Sequence, residues 1–565
     1  MKFFDLTNPH FYIAIAIAIV NGALLCFVAG KPLQMLQLSG YKLSGYNAWI
    51  KDTKIKYNSR LTMLSFLSLI SVLVTNALLD GFCNKYISYL GLIFYVYFSI
   101  IFIINITKMP QKTPLKQTRR MNRLIITTFI IISLLSFILI ALSTEFLEFL
   151  RYGIVVITPI FLIGIVPLAH LINYPMESYI RKKYIKKARR KLDKMPNLIK
   201  IGITGSYGKT TTKHILNVML SKKYSVCMTP HSFNTPMGLT KVVLKYLKKD
   251  NQVLIAEMGA RNVGDIKYLC DLIQPRHAII TAVASQHLAT FGTYENISKT
   301  KNELVQAIKD GYVVFNANSD GAVKLYEKCD KNKYLSAVEN DSAFCNIKNV
   351  KLSSNGSQFT LCINGEEIDC TCKLIGKQFL EDIALASAMA YKLNVSLSEI
   401  KYAIQDLKPM SHRMEIINNN GLTIIDNSYN SSVESSKASL ETLSLFEGNK
   451  IIVTPGIVEM GIKEKEVNIQ FGENIAKVCD KVIIVNKVNK DAIKQGLIDA
   501  DFNENNIFEA ESLKQASELL PNLTKTGDVV LFENDLPDNY TWKNYHSCGT
   551  HFANAKFRLN ECNFF

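Results

Sequence analysis

Leu198-Ile-Lys-Ile-Gly-Ile-Thr-Gly-Ser-Tyr-Gly-Lys-Thr-Thr-Thr212 is the stretch on which the reading of this chain turns. An apolar run, 198–203, enters a turn punctuated by Gly205 and Gly208 and leaves it through a helix-compatible segment, 209–219. Strand, glycine turn, helix is the layout of a phosphate-binding loop. The glycines let successive backbone N–H groups face one anion, and the new helix adds the positive end of its dipole. Thr204, Gly205, Ser206, Tyr207, Gly208 and Thr211 would line a nucleotide, Lys209 would reach its β- and γ-phosphates, and the Thr210 hydroxyl would hold Mg²⁺. Ile203 stands where the strict spacing has its first glycine, and a plain strand-to-helix turn would also show Gly-Lys-Thr. The flanking elements favour ATP.

A chain of 565 residues has room for several domains. Its first third is apolar, and the remainder reads as soluble. Five windows, at 11–29, 61–79, 87–106, 124–142 and 153–172, are long enough to span a bilayer core, which takes about 20 helical residues. One window alone would pass as a buried core helix; five in a third of the chain read as a membrane domain. Lys and Arg gather in alternate loops: Lys31, Lys42, Lys51, Lys54, Lys56 and Arg60, then Lys112, Lys116, Arg119, Arg120 and Arg123, then the run 181–191. The intervening loops hold only Lys85 and Arg151. This bias describes a multi-pass protein of the cell membrane, with its N-terminus outside and everything beyond Tyr174 in the cytoplasm. The first window lacks a small-x-small cleavage site and reads as an anchor rather than a signal peptide.

Much of the net charge of +17 lies in those loops and in the juxtamembrane run, where it serves topology and meets the headgroups of membrane lipids. No zinc-finger spacing or aromatic–basic interleaving supports nucleic acid as a partner. The twelve cysteines are scattered, and Cys370 and Cys372 form a lone C-x-C, so no metal is assigned to them.

From residue 198 onward, short β-rich runs alternate with helical segments, the pattern of a parallel α/β sheet. Ligands of such sheets gather beyond the carboxyl ends of the strands. Glu257 follows the run 253–256, His287 follows 278–283 and Asn316 follows 312–315. A carboxylate, an imidazole and an amide would thus converge on the edge that carries the phosphate loop. Glu257 and His287 would complete the Mg²⁺ shell beside Thr210, and Asn316 would meet the nucleotide. Singly, each has a structural reading, as a helix-start carboxylate, a capped loop residue and a turn former; their shared edge favours the functional one. A β-rich stretch at 343–374 reads as a hairpin-type excursion. Pro409 and Ser411-His-Arg413 mark a boundary, beyond which a second α/β unit has strands near 423–425, 451–454, 482–485 and 529–532. Asp426-Asn-Ser-Tyr-Asn-Ser431 either faces the first domain across a cleft or is a polar turn; the local sequence leaves both open. The expected architecture is multi-domain: an α-helical membrane domain (1–175), a basic linker (176–197), an α/β P-loop ATPase domain on a parallel sheet (198–408) and a C-terminal Rossmann-like α/β domain (409–565).

Several motifs, in order, resemble those of the Mur ligases, the ATP-dependent enzymes that build the peptide stem of bacterial cell-wall precursors. They are 202–212, Asn234-Thr-Pro-Met-Gly238, Ala256-Glu-Met-Gly-Ala260, His287-Leu-Ala-Thr-Phe-Gly292, Thr300-Lys-Asn-Glu303, Asn316-Ala-Asn318, Arg413 and Asp426-Asn-Ser-Tyr-Asn430. Within the family they are most similar to the type that adds D-alanyl-D-alanine. The resemblance runs from about residue 176 to the C-terminus and leaves out the membrane segments. It implies ATP and Mg²⁺ as cofactors and a two-step reaction: a carboxylate attacks the γ-phosphate to give an acyl phosphate, and an amine then displaces phosphate. It implies a catalytic set of Lys209, Glu257, His287 and Lys301. Lys301 matches a lysine that is carbamylated in several members and becomes a ligand of a second metal; an ordinary surface lysine is the other reading. Arg413 and Asp426 would join the nucleotide from the C-terminal domain, and Asn234, Thr235, Tyr429 and Asn430 would meet substrate. The partners implied are a muramyl peptide or a lipid-linked cell-wall precursor, an amino acid or dipeptide, and other proteins of envelope synthesis.

The departures fall at the substrate ends. A membrane domain stands where the family has a small domain holding the UDP-sugar. Gln378-Phe379…Asp382 replaces the adenine-side His-Asn…Asn pattern, and Ser432-Val433 replaces an Asn-Pro. The run 454–461 keeps the family's Glu and Gly but lacks its Asp, and 532–537 stands where a Lys-Gly-Ser is usual. Other readings are an amidating or other amide ligase acting on a lipid-linked envelope substrate, a ligase that binds ATP without turnover, and an ATP-gated transporter or sensor. Against the transporter stand the absence of a paired repeat and the scarcity of intramembrane charge.

Overall fold

The computed structural model describes residues 7–53, 57–79, 87–107, 114–146, 152–230, 232–286, 288–419, 421–429, 432–485 and 487–533. The chain divides into two compact units, one up to Ile180 and the other from Arg181 onward.

The first unit is helical: Pro9–Val28, Gly30–Leu38, Leu43–Thr53, Tyr57–Leu79, Ile87–Thr107 and Arg119–Phe146, then a 3-10 segment, Gly153–Phe161, that runs on into helix Leu162–Asp193. The five apolar windows all fall on these elements. Among the described residues, three stretches are long and apolar enough to cross a membrane: Pro9–Val28, Arg119–Ser143 and Gly153–Asp193. The other two windows appear there as shorter apolar helices, Arg60–Val74 and Leu92–Asn105. The exterior of this unit is apolar as well as its interior. Ile126, Ile130, Leu134, Ile138 and Leu142 recur every fourth residue on the outside of one helix, while Thr128, Ser136 and Ser143 of the same helix face inward. Asn21 is the centre of a buried polar seam: its Nδ2 donates to Ser136 Oγ at 2.8 Å and Thr158 Oγ1 at 3.0 Å, and its Oδ1 accepts from Tyr95 at 2.8 Å. An apolar exterior around the Asn21 seam is compatible with helices surrounded by lipid.

The second unit contains two sheets. The larger is built from β1 (Ile199–Thr204), β2 (Val226–Met228), β3 (Val253–Glu257), β4 (His277–Ile280), β5 (Tyr312–Asn316), β6 (Asn332–Val338), β7 (Cys345–Ser353), β8 (Gly356–Ile363) and β9 (Glu366–Cys372). Their order is β2-β3-β1-β4-β5-β6-β7-β8-β9, parallel up to β7 and antiparallel thereafter. The last three strands are the excursion expected at 343–374. Side chains alternate between two cores. Ile201, Ile203, Val253, Ile255, Ile279 and Val314 pack on one face with helix Lys377–Lys392; Leu254, Ala256, Ala278, Ile280, Val313 and Phe315 pack on the other. Both faces are covered, which is why these strands read as continuous apolar runs rather than alternating ones. β4 ends at Ile280, three residues before the expected Val283, because the next groups are claimed by neighbouring loops: Ser206 N donates to Ala282 O, and Val283 N donates to Ser319 Oγ.

The smaller sheet comprises β10 (Glu415–Asn419), β11 (Leu422–Asn427), β12 (Lys450–Thr454), β13 (Lys481–Val485), β14 (Ile507–Ala510) and β15 (Val529–Glu533), in the order β10-β11-β15-β12-β13-β14, with only β10 antiparallel. Residues 181–193 belong to this unit although their helix begins in the other. Ala188 and Leu192 are buried in its core, Arg189 donates to Asp271 O, and Lys191 Nζ donates to Leu247 O at 2.6 Å.

Candidate active site

Thr204 ends β1, and residues 205–208 turn the chain into helix Lys209–Leu220. Gly208 caps that helix with φ +79°, and a Cβ there would lie 2.6 Å from Asp382 Oδ1, so both backbone and space demand glycine. At Gly205 a Cβ would strike the Thr281 hydroxyl and lie 2.8 Å from Ala282 N. The loop is strapped to the residues after β4. Ser206 N donates to Ala282 O at 2.8 Å, Ser206 Oγ accepts from Ala284 N at 3.0 Å, and the Thr281 hydroxyl donates to Tyr207 O. On its other side, Thr204 Oγ1 donates to Met258 O at 2.9 Å. Lys209 Nζ lies over the loop, donating to Gly205 O at 2.7 Å and Ser206 O at 2.9 Å. Thr210 is half-buried in the first helical turn, and Thr211 is buried beside it.

Glu257, the last residue of β3, is buried. Its Oε2 accepts from Lys213 Nζ at 2.9 Å and its Oε1 from Asn234 Nδ2 at 3.0 Å. Burial alone would raise its pKa; the charge and hydrogen bond of Lys213, the charge of Lys209 and the Asn234 amide outweigh it and hold the carboxyl below its ordinary value. Burial pulls Lys209 down to about 8, against the opposing charge of Glu257. Lys301, buried on helix Tyr294–Ala307, is pulled down to about 7 by burial and then by the charge of Lys209. Glu303, two residues on, accepts from Gly264 N and Lys267 N at the start of helix Asp265–Ile273. Thr235 caps helix Pro236–Lys245, its Oγ1 accepting from Gly238 N.

Helix Lys377–Lys392 lies alongside. Asn316, ending β5, donates to Glu381 Oε2 at 2.8 Å, and Asp382 Oδ1 accepts from Thr212 Oγ1 at 2.6 Å. Gln378 Oε1 is buried without a hydrogen-bond partner. Burial, against the opposing hydrogen bond from Thr212, holds the Asp382 carboxyl well above the usual carboxylate range. The folded state then binds a proton that the unfolded chain has released, and stability falls as pH rises above the unfolded value, by up to about 1.4 kcal/mol per pH unit. Asp382→Asn keeps the acceptor for Thr212 and should remove that contribution, so that melting temperatures of the variant decline less than those of the parent as pH rises above the unfolded carboxyl value.

From the C-terminal part, the Arg413 guanidinium lies 4.4 Å from the Tyr429 ring centroid, and the Tyr429 hydroxyl meets that of Ser232. Asp426 Oδ2 pairs with His412 Nδ1 at 2.8 Å, and its Oδ1 accepts from Ser428 N at 3.1 Å and Oγ at 2.6 Å. Glu459, held at φ +66°, pairs with Arg261 at 3.7 Å. Glu533 is buried, accepting from Asn427 Nδ2 at 2.9 Å and Ser439 Oγ at 2.7 Å. His287, Asn430 and the run from Asn534 lie outside the described residues.

Lys209 and Arg413 are therefore close enough to feel the charges of Glu257 and Asp382, and Lys301 feels that of Lys209. Three cations, Lys209, Lys213 and Arg413, act on the one carboxylate of Glu257 beside the glycine turn, which suits a polyanion. An ionised buried carboxylate and the Thr210 hydroxyl are hard oxygen donors that suit Mg²⁺. Among the described residues, His412, Glu415 and Asp426 also bring donor atoms within 4.8 Å of one another, but Glu415 already accepts from His412 N and Asp426 from Ser428. Asn234 donates to Glu257, and Thr235 caps its helix. Sequence reasoning missed Lys213, Thr212, Glu381 and His412. Lys213 had a signal: it follows Lys209 by one helical turn and so shares its face.

A family model for the Mur ligase middle domain matches residues 203–390, and one for the Mur ligase, glutamate ligase domain matches residues 412–533; together they span more than half of the chain. A Bacillus subtilis protein named UDP-N-acetylmuramoyl-tripeptide–D-alanyl-D-alanine ligase is 27% identical over 337 residues, covering 59% of this chain and 72% of that protein. A Mycobacterium tuberculosis protein of the same name is 32% identical over 248 residues, covering 43% of this chain and 48% of that protein. The solved structure of MurF ligase from Thermotoga maritima in complex with ADP superposes with a TM-score of 0.58 at 25% identity, over 67% of this chain and 84% of that one. MurF from Acinetobacter baumannii superposes with a TM-score of 0.59 at 22% identity, over 67% and 80%, a likeness of fold.

Proposed function

The chain belongs to the Mur ligase family, whose members are ATP-dependent amide-forming ligases, and we propose that it adds D-alanyl-D-alanine to a muramyl peptide in peptidoglycan-precursor synthesis. The observation that carries this reading is the convergence of Lys209, Glu257 and Arg413 beside the glycine turn, from both sheets of the second unit. Phosphoryl transfer needs positioning and charge neutralisation more than covalent help. Lys209 leaves the loop carbonyls to meet the β- and γ-phosphates, and the loop N–H groups hold them. The acceptor carboxylate attacks the γ-phosphorus, the β–γ bridging bond breaks and ADP leaves. The amine then attacks the acyl carbon, inorganic phosphate departs and the amine proton passes to solvent. Mg²⁺ on Thr210 and Glu257, with His287, would neutralise the charge that builds on the phosphates. Arg413 and Asp426 hold the nucleotide from the C-terminal side, with Asp426 oriented by His412. Asn316 reaches the nucleotide edge by way of Glu381. Lys301, whose pKa burial and the charge of Lys209 pull down to about 7, is a nucleophilic amine suited to carbamylation and thereby to holding a second metal.

Our reading of the chain assigns 1–175 to a membrane domain of five spans, 198–408 to the ATP-binding domain and 409–565 to the C-terminal ligase domain, with both of these in the cytoplasm. The acceptor is lipid-linked, since a bilayer anchor stands where the family grips UDP. The test is phosphate release from Mg·ATP by the detergent-purified full chain, offered UDP-muramyl-tripeptide or its lipid-linked form, with and without D-alanyl-D-alanine. Release should require both an acceptor and the dipeptide. Turnover with only the soluble UDP acceptor would sink the lipid-linked reading, and release without any dipeptide requirement would sink the ligase assignment.

A further inference from the structure

Lys213 and Glu257 are 0% and 1% exposed. Two ammonium groups leave one face of helix Lys209–Leu220: Lys209 goes over the loop carbonyls, and Lys213 goes to Glu257 Oε2 at 2.9 Å. Asn234 holds the other Glu257 oxygen. A carboxylate has about four lone-pair sites, so these two contacts fix its direction and leave it able to bind more. An apolar pair of the same volume would join β3 to this helix without desolvating two charges. Packing therefore does not account for the ion pair.

We propose that Lys213 is a positioning residue that stands in for the divalent cation: it aims Glu257 and offsets its charge, so that the metal enters with the nucleotide rather than ahead of it. The inference rests on the reading of Glu257 as a metal ligand. With Lys213 present, Lys209, Lys301 and Arg413 add to a pocket of net positive charge that attracts phosphate and repels a lone dication. Bound phosphates reverse that balance, and the metal then shares Glu257 without Lys213 having to leave. Without Lys213, Glu257 stands unopposed: a bare dication is favoured, and a metal-free nucleotide is not. The two effects have opposite signs, whereas mere loosening of the fold would weaken both.

The test uses the full chain in detergent. Mn²⁺ binding is read by electron paramagnetic resonance with and without β,γ-methylene-ATP, and binding of that analogue in chelator is read by equilibrium dialysis. Lys213→Met should bind Mn²⁺ alone at least about fivefold tighter and the metal-free analogue at least about threefold weaker, while Lys213→Arg should restore both to within about twofold of the parent. Glu257→Gln is the reference. If it weakens Mn²⁺ binding while Lys213→Met changes neither affinity, or weakens both, the metal-ligand reading stands and the inference alone falls. If Glu257→Gln leaves Mn²⁺ binding unchanged, the reading beneath it falls as well.

Discussion

Lys209→Ala should lower acceptor-dependent phosphate release by roughly a thousandfold or more, with no loss of stability at neutral pH. Lys209 is the cation that lies over the glycine turn. Lys213 is committed to Glu257 and Lys301 comes from a different helix. The stability expectation follows from linkage. Burial pulls the folded pKa of Lys209 down to about 8, below its ordinary value of 10.5. Between those values the unfolded chain binds more protons than the folded one, so stability rises with pH through that window, and below it the buried ammonium costs stability. Alanine removes that cost. Phosphate release and melting curves at pH 7, measured together, decide the matter; a variant that loses activity only in step with its melting temperature would make Lys209 a structural residue.

The second large effect is at Glu257. Glu257→Ala should destabilise the second unit by about 3–5 kcal/mol, because it leaves the Lys213 ammonium buried without its counter-charge, and it should abolish turnover as well. Pairing Glu257→Gln with Lys213→Met removes both charges at nearly constant volume, and most of the stability should return. Activity should not return, because the carboxylate that faces the loop is still missing. Urea unfolding of the single and double variants measures the first claim and the phosphate assay the second. If the double variant recovers both, the pair serves folding only.

The placement of the candidate site was legible in the sequence wherever a parallel strand delivers a residue directly to its carboxyl edge. Glu257 and Asn316 were found that way, since β3 and β5 end on them. Lys213 was not, because a lysine inside a helix ordinarily reads as part of a solvated face; only the approach of β3 buries it. Asp382 showed as a departure from the family's asparagine, but its contact with Thr212 joins residues 170 positions apart, beyond any local pattern. Strands β2, β10 and β14 are short or polar and pair at sheet edges or beside them, where little apolar periodicity is needed. The meeting of Tyr429 with Ser232 and of Arg261 with Glu459 depends on how the two sheets are brought together, and no window of sequence encodes that. His412 sits at φ +63° and pairs with Asp426, fourteen residues further on, across the β10–β11 hairpin.

Helix Leu162–Asp193 decides where this chain can be cut. A fragment that starts at residue 198, on the first strand, strips Ala188 and Leu192 from the core and uncovers the apolar side chains they shield. It also leaves the carbonyls of Asp271 and Leu247 without their Arg189 and Lys191 donors. A fragment that starts near residue 181 keeps all four contacts and discards the apolar exterior of the preceding helices. Expression yield of the catalytic half should therefore hinge on fewer than twenty residues that carry no part of the chemistry.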